Sequence, residues 1–272
     1  LKEVTERIYK RIDTGIDEVN LVLGGGLVKG SLTLISGEPG IGKSTIIAQI
    51  SNNIASTIGK VLYVSGEESG EQIALRTRRI CGDISDDFLI LTETNIDSIE
   101  AIVRETKPSL LVIDSIQTMF TSAEDSSPGS VTQIRFCGNL LMKLCKGLDI
   151  PAIIVAHVTK GGELAGPKTL EHMVDAVLDF TGERDGELRI LRSCKNRFGT
   201  TNEIGGFIMG PDGLTPTEDL SAAFLEERDQ APGSIFTGIC EGTRSILFEI
   251  QGLVSQCTQG FPRRTCTGLN QK

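Results

Sequence analysis

At 272 residues, 39% hydrophobic and 23% charged, the chain has apolar material for one large α/β domain with room for a smaller unit. A net charge of −9 argues against coating nucleic acid through bulk charge, but leaves room for a local basic groove or a ring lined by a few positive loops. No apolar run approaches the ~18 residues of a membrane span, and the charged opening LKEVTERIYKRID lacks the apolar centre of a signal peptide.

The seven cysteines form no CxxC pair, so a zinc site built from this chain alone is not expected, and their scatter suggests reduced thiols in a cytosolic or organellar interior. From residue 31 the pattern alternates strand and helix. The β-branched runs 31–36, 60–65, 88–92, 109–114 and 152–156 carry few charges, as strands buried on both faces of a parallel sheet do. Between them Ile46, Ile47, Ile50 and Ile54 share one helical face, as do Ile96, Ile99 and Val103, and Val131, Ile134 and Leu141. This alternation predicts right-handed crossovers and a doubly wound, mostly parallel sheet. The runs 175–180, 187–193 and 205–209, joined by short turns such as 183–186, predict an antiparallel extension of it. Pro211, Gly213 and Pro216 mark a linker. The runs 233–239 and 245–251 then predict a separate hairpin turning near Gly242. The expected division is a domain over 1–218 and a last unit, 219–272, too small to be stable alone.

Gly37-Glu38-Pro39-Gly40-Ile41-Gly42-Lys43-Ser44 matches GxxxxGK[ST] between a predicted strand and a predicted helix, the context that a phosphate-binding loop requires. The glycines let backbone N–H groups turn inward around phosphates, and the helix that opens through Lys43, Ser44 and Thr45 adds its partial positive charge. Lys43 would reach the β- and γ-phosphates of ATP, and Ser44 would ligate Mg²⁺. Asp114 ends an apolar strand and would hold the same Mg²⁺, directly or through water. Glu67 and Glu68 follow the neighbouring strand, and hydrolysis needs one carboxylate there to polarise water. We take Glu67 for that role. The plainer reading is that both serve the next helix, since Ser69 and Gln72 have capping-box spacing. His157, at a strand tip, is equally a γ-phosphate sensor or a hydrogen-bonded surface group.

These segments, with Thr14-Gly15-Ile16-Asp17-Glu18, Leu23-Gly24-Gly25-Gly26-Leu27, Tyr63-Val64-Ser65-Gly66-Glu67-Glu68-Ser69, Asp114-Ser115-Ile116-Gln117 and above all Lys195-Asn196-Arg197-Phe198-Gly199, resemble the bacterial and organellar RadA (Sms) family of DNA-repair ATPases. The resemblance spans about residues 11–270. It implies a RecA-like P-loop core that forms hexameric rings, binds single-stranded DNA and uses ATP to move along it in recombination, with recombinase or replication partners. It also implies that Glu67 is the catalytic glutamate, that His157 is the sensor, and that Lys195 and Arg197 reach the nucleotide of a neighbouring subunit. A cation supplied in trans would neutralise charge on the transferring phosphoryl group.

Two loops are candidate DNA contacts: Thr118–Ser130, polar enough to be mobile but carrying Glu124 and Asp125, and Thr159–Lys168, with Lys160 and Lys168 among glycines. The two acids weaken the first, so the second is the better candidate, and few positive charges per subunit suffice there because phosphate contacts add around a ring. The family pattern also implies a four-cysteine zinc finger before Leu1 and a complete Lon-protease-like domain after the core. Only the apparent opening of the latter is present, so a fragment is expected, in a bacterial cytoplasm, a chloroplast or a mitochondrion. The competing expectation is an ATP-driven protein-assembly switch like KaiC, without a DNA track.

Overall fold

The computed structural model describes residues 10–157, 166–182, 186–221, 232–256 and 264–267. The first described residues form strand β1 (Arg11–Ile12), which pairs antiparallel with β2 (Leu27–Val28), the two flanking helix α1 (Asp17–Leu23). Gly24-Gly25-Gly26 ends α1 and turns the chain back. Gly24 caps the helix in the left-handed region at φ 77°, and a Cβ on Gly26 would lie 2.4 Å from the Ile12 carbonyl oxygen.

Then come β3 (Leu32–Gly37), α2 (Lys43–Thr57), β4 (Val61–Ser65), α3 (Gly70–Cys81), β5 (Phe88–Thr92), α4 (Ile96–Thr106), β6 (Leu110–Asp114), α5 (Val131–Leu148), β7 (Ala152–His157), the short α6 (Gly166–Glu171) and β8 (Ala176–Gly182). After these the chain runs antiparallel through β9 (Leu188–Asn196), β10 (Ile204–Gly210) and β11 (Gly213–Thr217). One nine-stranded sheet results, in the order β11-β10-β9-β8-β3-β7-β6-β4-β5, parallel from β8 to β5. This is the doubly wound sheet with antiparallel extension that the sequence predicts. The predicted turn at 183–186 falls mostly outside the described residues.

Strand residues alternate between two cores. Ile35, Val61, Tyr63, Leu110 and Val112 face α2 and Ile73 of α3, while Leu34, Leu62, Val64, Leu111 and Ile113 face α4, α5 and Leu170 of α6. Helix α2 attaches through Ile46, Ile47, Ile50 and Ile54, each at most 1% exposed. At roughly 1.5–3 kcal/mol per buried isoleucine, this face outweighs any intrinsic helix preference. Ile96, Ile99, Val103, Ile134 and Leu141 are likewise buried. Val131 is not: it opens α5 directly after the Ser130 N-cap and is 44% exposed, at the end of the helix.

The predicted linker is also corrected. Gly213 and Pro216 lie in β11, paired with β10 from Gly206↔Thr217 to Gly210↔Gly213. Pro216 is tolerated because β11 is the sheet's edge, where one side of the strand needs no ladder partner. Strands β12 (Ser234–Glu241) and β13 (Arg244–Gln251) form the expected hairpin around Gly242. It is not detached. Arg244 donates to both carboxylate oxygens of buried Glu18 at 2.6 Å, Thr243 bonds Glu203 at 2.8 Å, and Ile246 packs with Ile204 and Leu220. Among the described residues no helix is long and apolar enough to cross a membrane.

Candidate nucleotide site

Strand β3 ends in the phosphate loop, and α2 begins at Lys43 with no side-chain cap on its first N–H groups. Those donors are therefore left for an anion. The loop's shape is built for glycine. Gly42 sits at φ 113°, and a Cβ there would lie 2.5 Å from Met209 Cε; a Cβ on Gly37 would lie 2.4 Å from the Phe180 carbonyl oxygen. Ile41, buried in the core, pins the loop from below, while Glu38, Pro39 and Gly40 form an exposed tip and Ser44 and Thr45 are half-buried. Lys43 is 3% exposed and donates to the Gly37 and Glu38 carbonyls at 2.8 Å each. Burial brings its ammonium down to about 8, against the upward pull of the Asp114, Glu67 and Asp179 carboxylates.

Parallel pairing sets Asp114 beside Ser65, at adjacent strand tips. Asp114 is 7% exposed and accepts a hydrogen bond of 2.5 Å from the Tyr63 hydroxyl. Glu67, two residues beyond β4, accepts from the Ser115 hydroxyl through Oε1, and His157 Nε2 lies 3.5 Å from the same oxygen. That approach lacks hydrogen-bond geometry, and neither ring nitrogen of His157 has a hydrogen-bond partner among the described residues. Glu68 turns away into an ion pair with Arg76. The capping box of Ser69 and Gln72 is formed as well, so the helix-capping role and the crevice role of this segment coexist. The chain thus brings Lys43, Asp114, Glu67 and His157 to one crevice and ties Glu68 elsewhere.

Among the described residues no group of three or more His, Cys, Asp or Glu side chains could cage a metal by itself. Mg²⁺ does not need such a cage. It is held by one or two hard oxygen ligands while keeping waters and substrate phosphates, and the hydroxyl of Ser44 with the carboxylate of Asp114 fits that donor set.

Lys195 and Arg197 lie elsewhere. Strand β9 runs antiparallel to β8, so Arg189 pairs with Gly182 at the phosphate-loop end and Asn196 pairs with Ala176 at the far end. There Lys195 Nζ donates to the Glu171 and Val174 carbonyls at 2.6 and 2.9 Å, and Arg197 bonds Asp175 Oδ1 at 2.9 Å. Asp175 also accepts from the Leu32 N–H, at the opposite end of β3 from Gly37, roughly 16 Å along the strand. Neither cation reaches its own chain's phosphate loop. Lys160 lies outside the described residues, and Lys168 is exposed on α6. The 118–130 loop is held against α5, where Gln133 Nε2 donates to the carbonyls of Thr121, Glu124 and Ser126 at 3.1, 2.8 and 3.1 Å.

Sequence reasoning missed Arg189. Buried on β9, it donates from Nε to the Ile41 carbonyl at 3.2 Å and so braces the phosphate loop from the antiparallel side. It also missed Tyr63 and Ser115, which hold the two carboxylates.

The fold and the site define a RecA-like P-loop ATPase. An AAA domain family model matches residues 4–163. The chain is 51% identical over 261 residues to DNA repair protein RadA of Bacillus subtilis (strain 168) and 52% identical over 271 residues to that of Streptococcus pyogenes serotype M6. These matches cover 96% and 99% of this chain, and it spans 57% and 59% of the two relatives. A KaiC-like protein from Pyrococcus horikoshii OT3 superposes with a TM-score of 0.63 at 21% identity, over 77% of this chain and 99% of that one, which is a likeness of fold. With half its residues shared along almost its entire length, the chain belongs to the RadA family.

Proposed function

We propose that this chain is the motor core of a DNA-repair ATPase that hydrolyses ATP at subunit interfaces of a ring and acts on single-stranded DNA. One observation carries the reading: Lys43, Asp114 and Glu67 meet in one crevice, in a chain half identical to proteins named for DNA repair. Lys43 and the loop N–H groups hold the phosphates, Ser44 and Asp114 hold Mg²⁺, Glu67 polarises the attacking water, and His157 reports the γ-phosphate. Bound Mg²⁺ would supply charge neutralisation at the transferring phosphoryl group.

Lys195 and Arg197 act on a neighbour's nucleotide in this reading. Their position at the far end of β9 supports it, since they cannot serve the site of their own chain. Lys168 on α6, with Lys160, belongs to the DNA-facing side. The hairpin after residue 219 opens a second, Lon-like domain, and the setting is a bacterial cytoplasm or an organelle interior. A KaiC-like switch without a DNA track rests only on shared fold, so the identity to RadA proteins outweighs it.

The test uses the full-length protein. Its ATP turnover should rise on adding single-stranded DNA. Lys43→Ala and Arg197→Ala should each be inactive, whereas a mixture should regain activity that grows with protein concentration, because an intact pocket can then face an intact Arg197. Mixtures that co-assemble yet stay inactive would remove the trans role, and turnover indifferent to DNA would remove the DNA track.

A further inference from the structure

Tyr63 lies at the centre of β4, next to the edge strand β5, with no exposed surface, its ring edge-on to Phe88 at a centroid distance of 5.9 Å. Register pairs Tyr63 with Val112 and Ser65 with Asp114, so the phenol reaches diagonally toward the strand tip, and its hydroxyl donates to Asp114 Oδ2 at 2.5 Å. A buried tyrosine hydroxyl ordinarily finds some partner, and packing alone would explain that much. Here the partner is the carboxylate at the metal position, and the bond does two things to it. It fixes the rotation of the carboxylate, whose Cα sits on a strand buried on both faces. It also occupies one lone pair of Oδ2 and draws charge from it, leaving Oδ1 the more available oxygen for coordination.

Those two effects matter differently for different cations. Mg²⁺ demands near-octahedral geometry and uses single carboxylate oxygens together with retained waters, whereas the larger Ca²⁺ accepts carboxylates in bidentate fashion. We propose that Tyr63 is a positioning residue for the metal site: its hydroxyl presents Asp114 chiefly through Oδ1, which strengthens Mg²⁺ binding and selects against cations that use both oxygens. The proposal rests on Asp114 as the metal-holding carboxylate, as read above.

The experiment compares full-length wild-type, Tyr63→Phe and Asp114→Asn proteins. Each is titrated with Mg²⁺ and with Ca²⁺ while binding of a fluorescent non-hydrolysable ATP analogue is followed. Tyr63→Phe should raise the Mg²⁺ half-saturation concentration about tenfold, the scale of losing a partner that orients a metal ligand. The Ca²⁺ curve should move less, so the preference for Mg²⁺ falls. A second measurement needs no variant to bind metal. With 3-fluorotyrosine incorporated, the ¹⁹F resonance of Tyr63, identified by its loss in Tyr63→Phe, should shift when Mg²⁺ joins the bound nucleotide and stay put in EDTA. If Asp114→Asn weakens metal dependence while Tyr63→Phe leaves both titrations unchanged and the resonance ignores Mg²⁺, Tyr63 only packs and the proposal is overturned. If Asp114→Asn itself leaves the Mg²⁺ titration untouched, it is the metal assignment that fails.

Discussion

Arg244 ties the C-terminal hairpin to helix α1 through buried Glu18. Arg244→Ala would remove both donors that hold Glu18 at 2.6 Å and leave a carboxylate 2% exposed with the Gly206 N–H at 2.9 Å as its remaining partner. Stranding a buried charge in this way costs about 3–5 kcal/mol if the surroundings do not move. They can move, because the hairpin can lift and admit water. Then the loss is capped by what else docks it: burial of Ile246, roughly 1.5–3 kcal/mol, the half-exposed Arg192–Glu241 pair at 3.2 Å, about 0–1 kcal/mol, and the exposed Thr243–Glu203 hydrogen bonds, about 0.5–1 kcal/mol. Both routes converge on about 3 kcal/mol. For a chain of this size that lowers Tm by about 6–12 °C. Thermal unfolding and limited proteolysis would measure it, with earlier cleavage within the hairpin than in wild type. Replacing both partners by apolar residues, Glu18→Met with Arg244→Leu, should recover most of the loss, since no charge is then stranded. A Tm within about 2 °C of wild type for Arg244→Ala, with unchanged proteolysis, would refute the reasoning.

Two further outcomes concern the crevice. Glu67→Gln should keep ATP binding and slow single-turnover hydrolysis by roughly 10²-fold or more, while Glu68→Gln, whose carboxylate is spent on Arg76, should change it little; the reverse ranking would move the role one residue along. The Lys43 ammonium, held near 8 by burial, loses its proton in the free protein as pH rises through that value, whereas bound phosphates require it charged. Affinity for ATP should therefore fall about eightfold from pH 7.5 to pH 9, with proton uptake on binding seen by calorimetry in different buffers. A flat affinity without proton uptake would mean that Lys43 stays charged throughout.

What the sequence made legible follows from how each signal is written. The parallel strands are buried on both faces, so each appears as an unbroken apolar run, and the phosphate loop is a local motif whose spacing is its chemistry. Asp114 could be placed because a carboxylate at the end of such a run has one place to be. Helix α1 went unread because seven residues carry too little periodicity, and β11 was taken for a linker because Pro216 signals a break unless the strand is already known to be an edge. Glu67 and Glu68 are chemically identical neighbours. What separates them is Arg76, eight residues beyond Glu68, on the next helix. Arg189 and Tyr63 meet their partners across 148 and 51 residues, and such contacts leave no trace in local spacing.

Arg189 and Arg197 lie on one strand and its immediate extension, and that arrangement bears on how a ring of such chains would work. At the start of β9, Arg189 holds the Ile41 carbonyl of its own phosphate loop; just past the end, Arg197 stands on Asp175. Eight residues of extended chain place the two about 27 Å apart. Strand β9 is paired with β8 from Arg189 to Asn196 and with β10 from Leu188 to Arg192, so its first half is held on both sides and bends little. On the proposed reading, a change at one phosphate loop is therefore felt at the edge that meets the next subunit, without a mobile lever between them. The single irregularity in the path is the register shift opposite Val177 and Leu178, close to where Lys195 caps the chain leaving α6. That is where flexibility added by mutation should uncouple neighbouring sites while each still binds ATP.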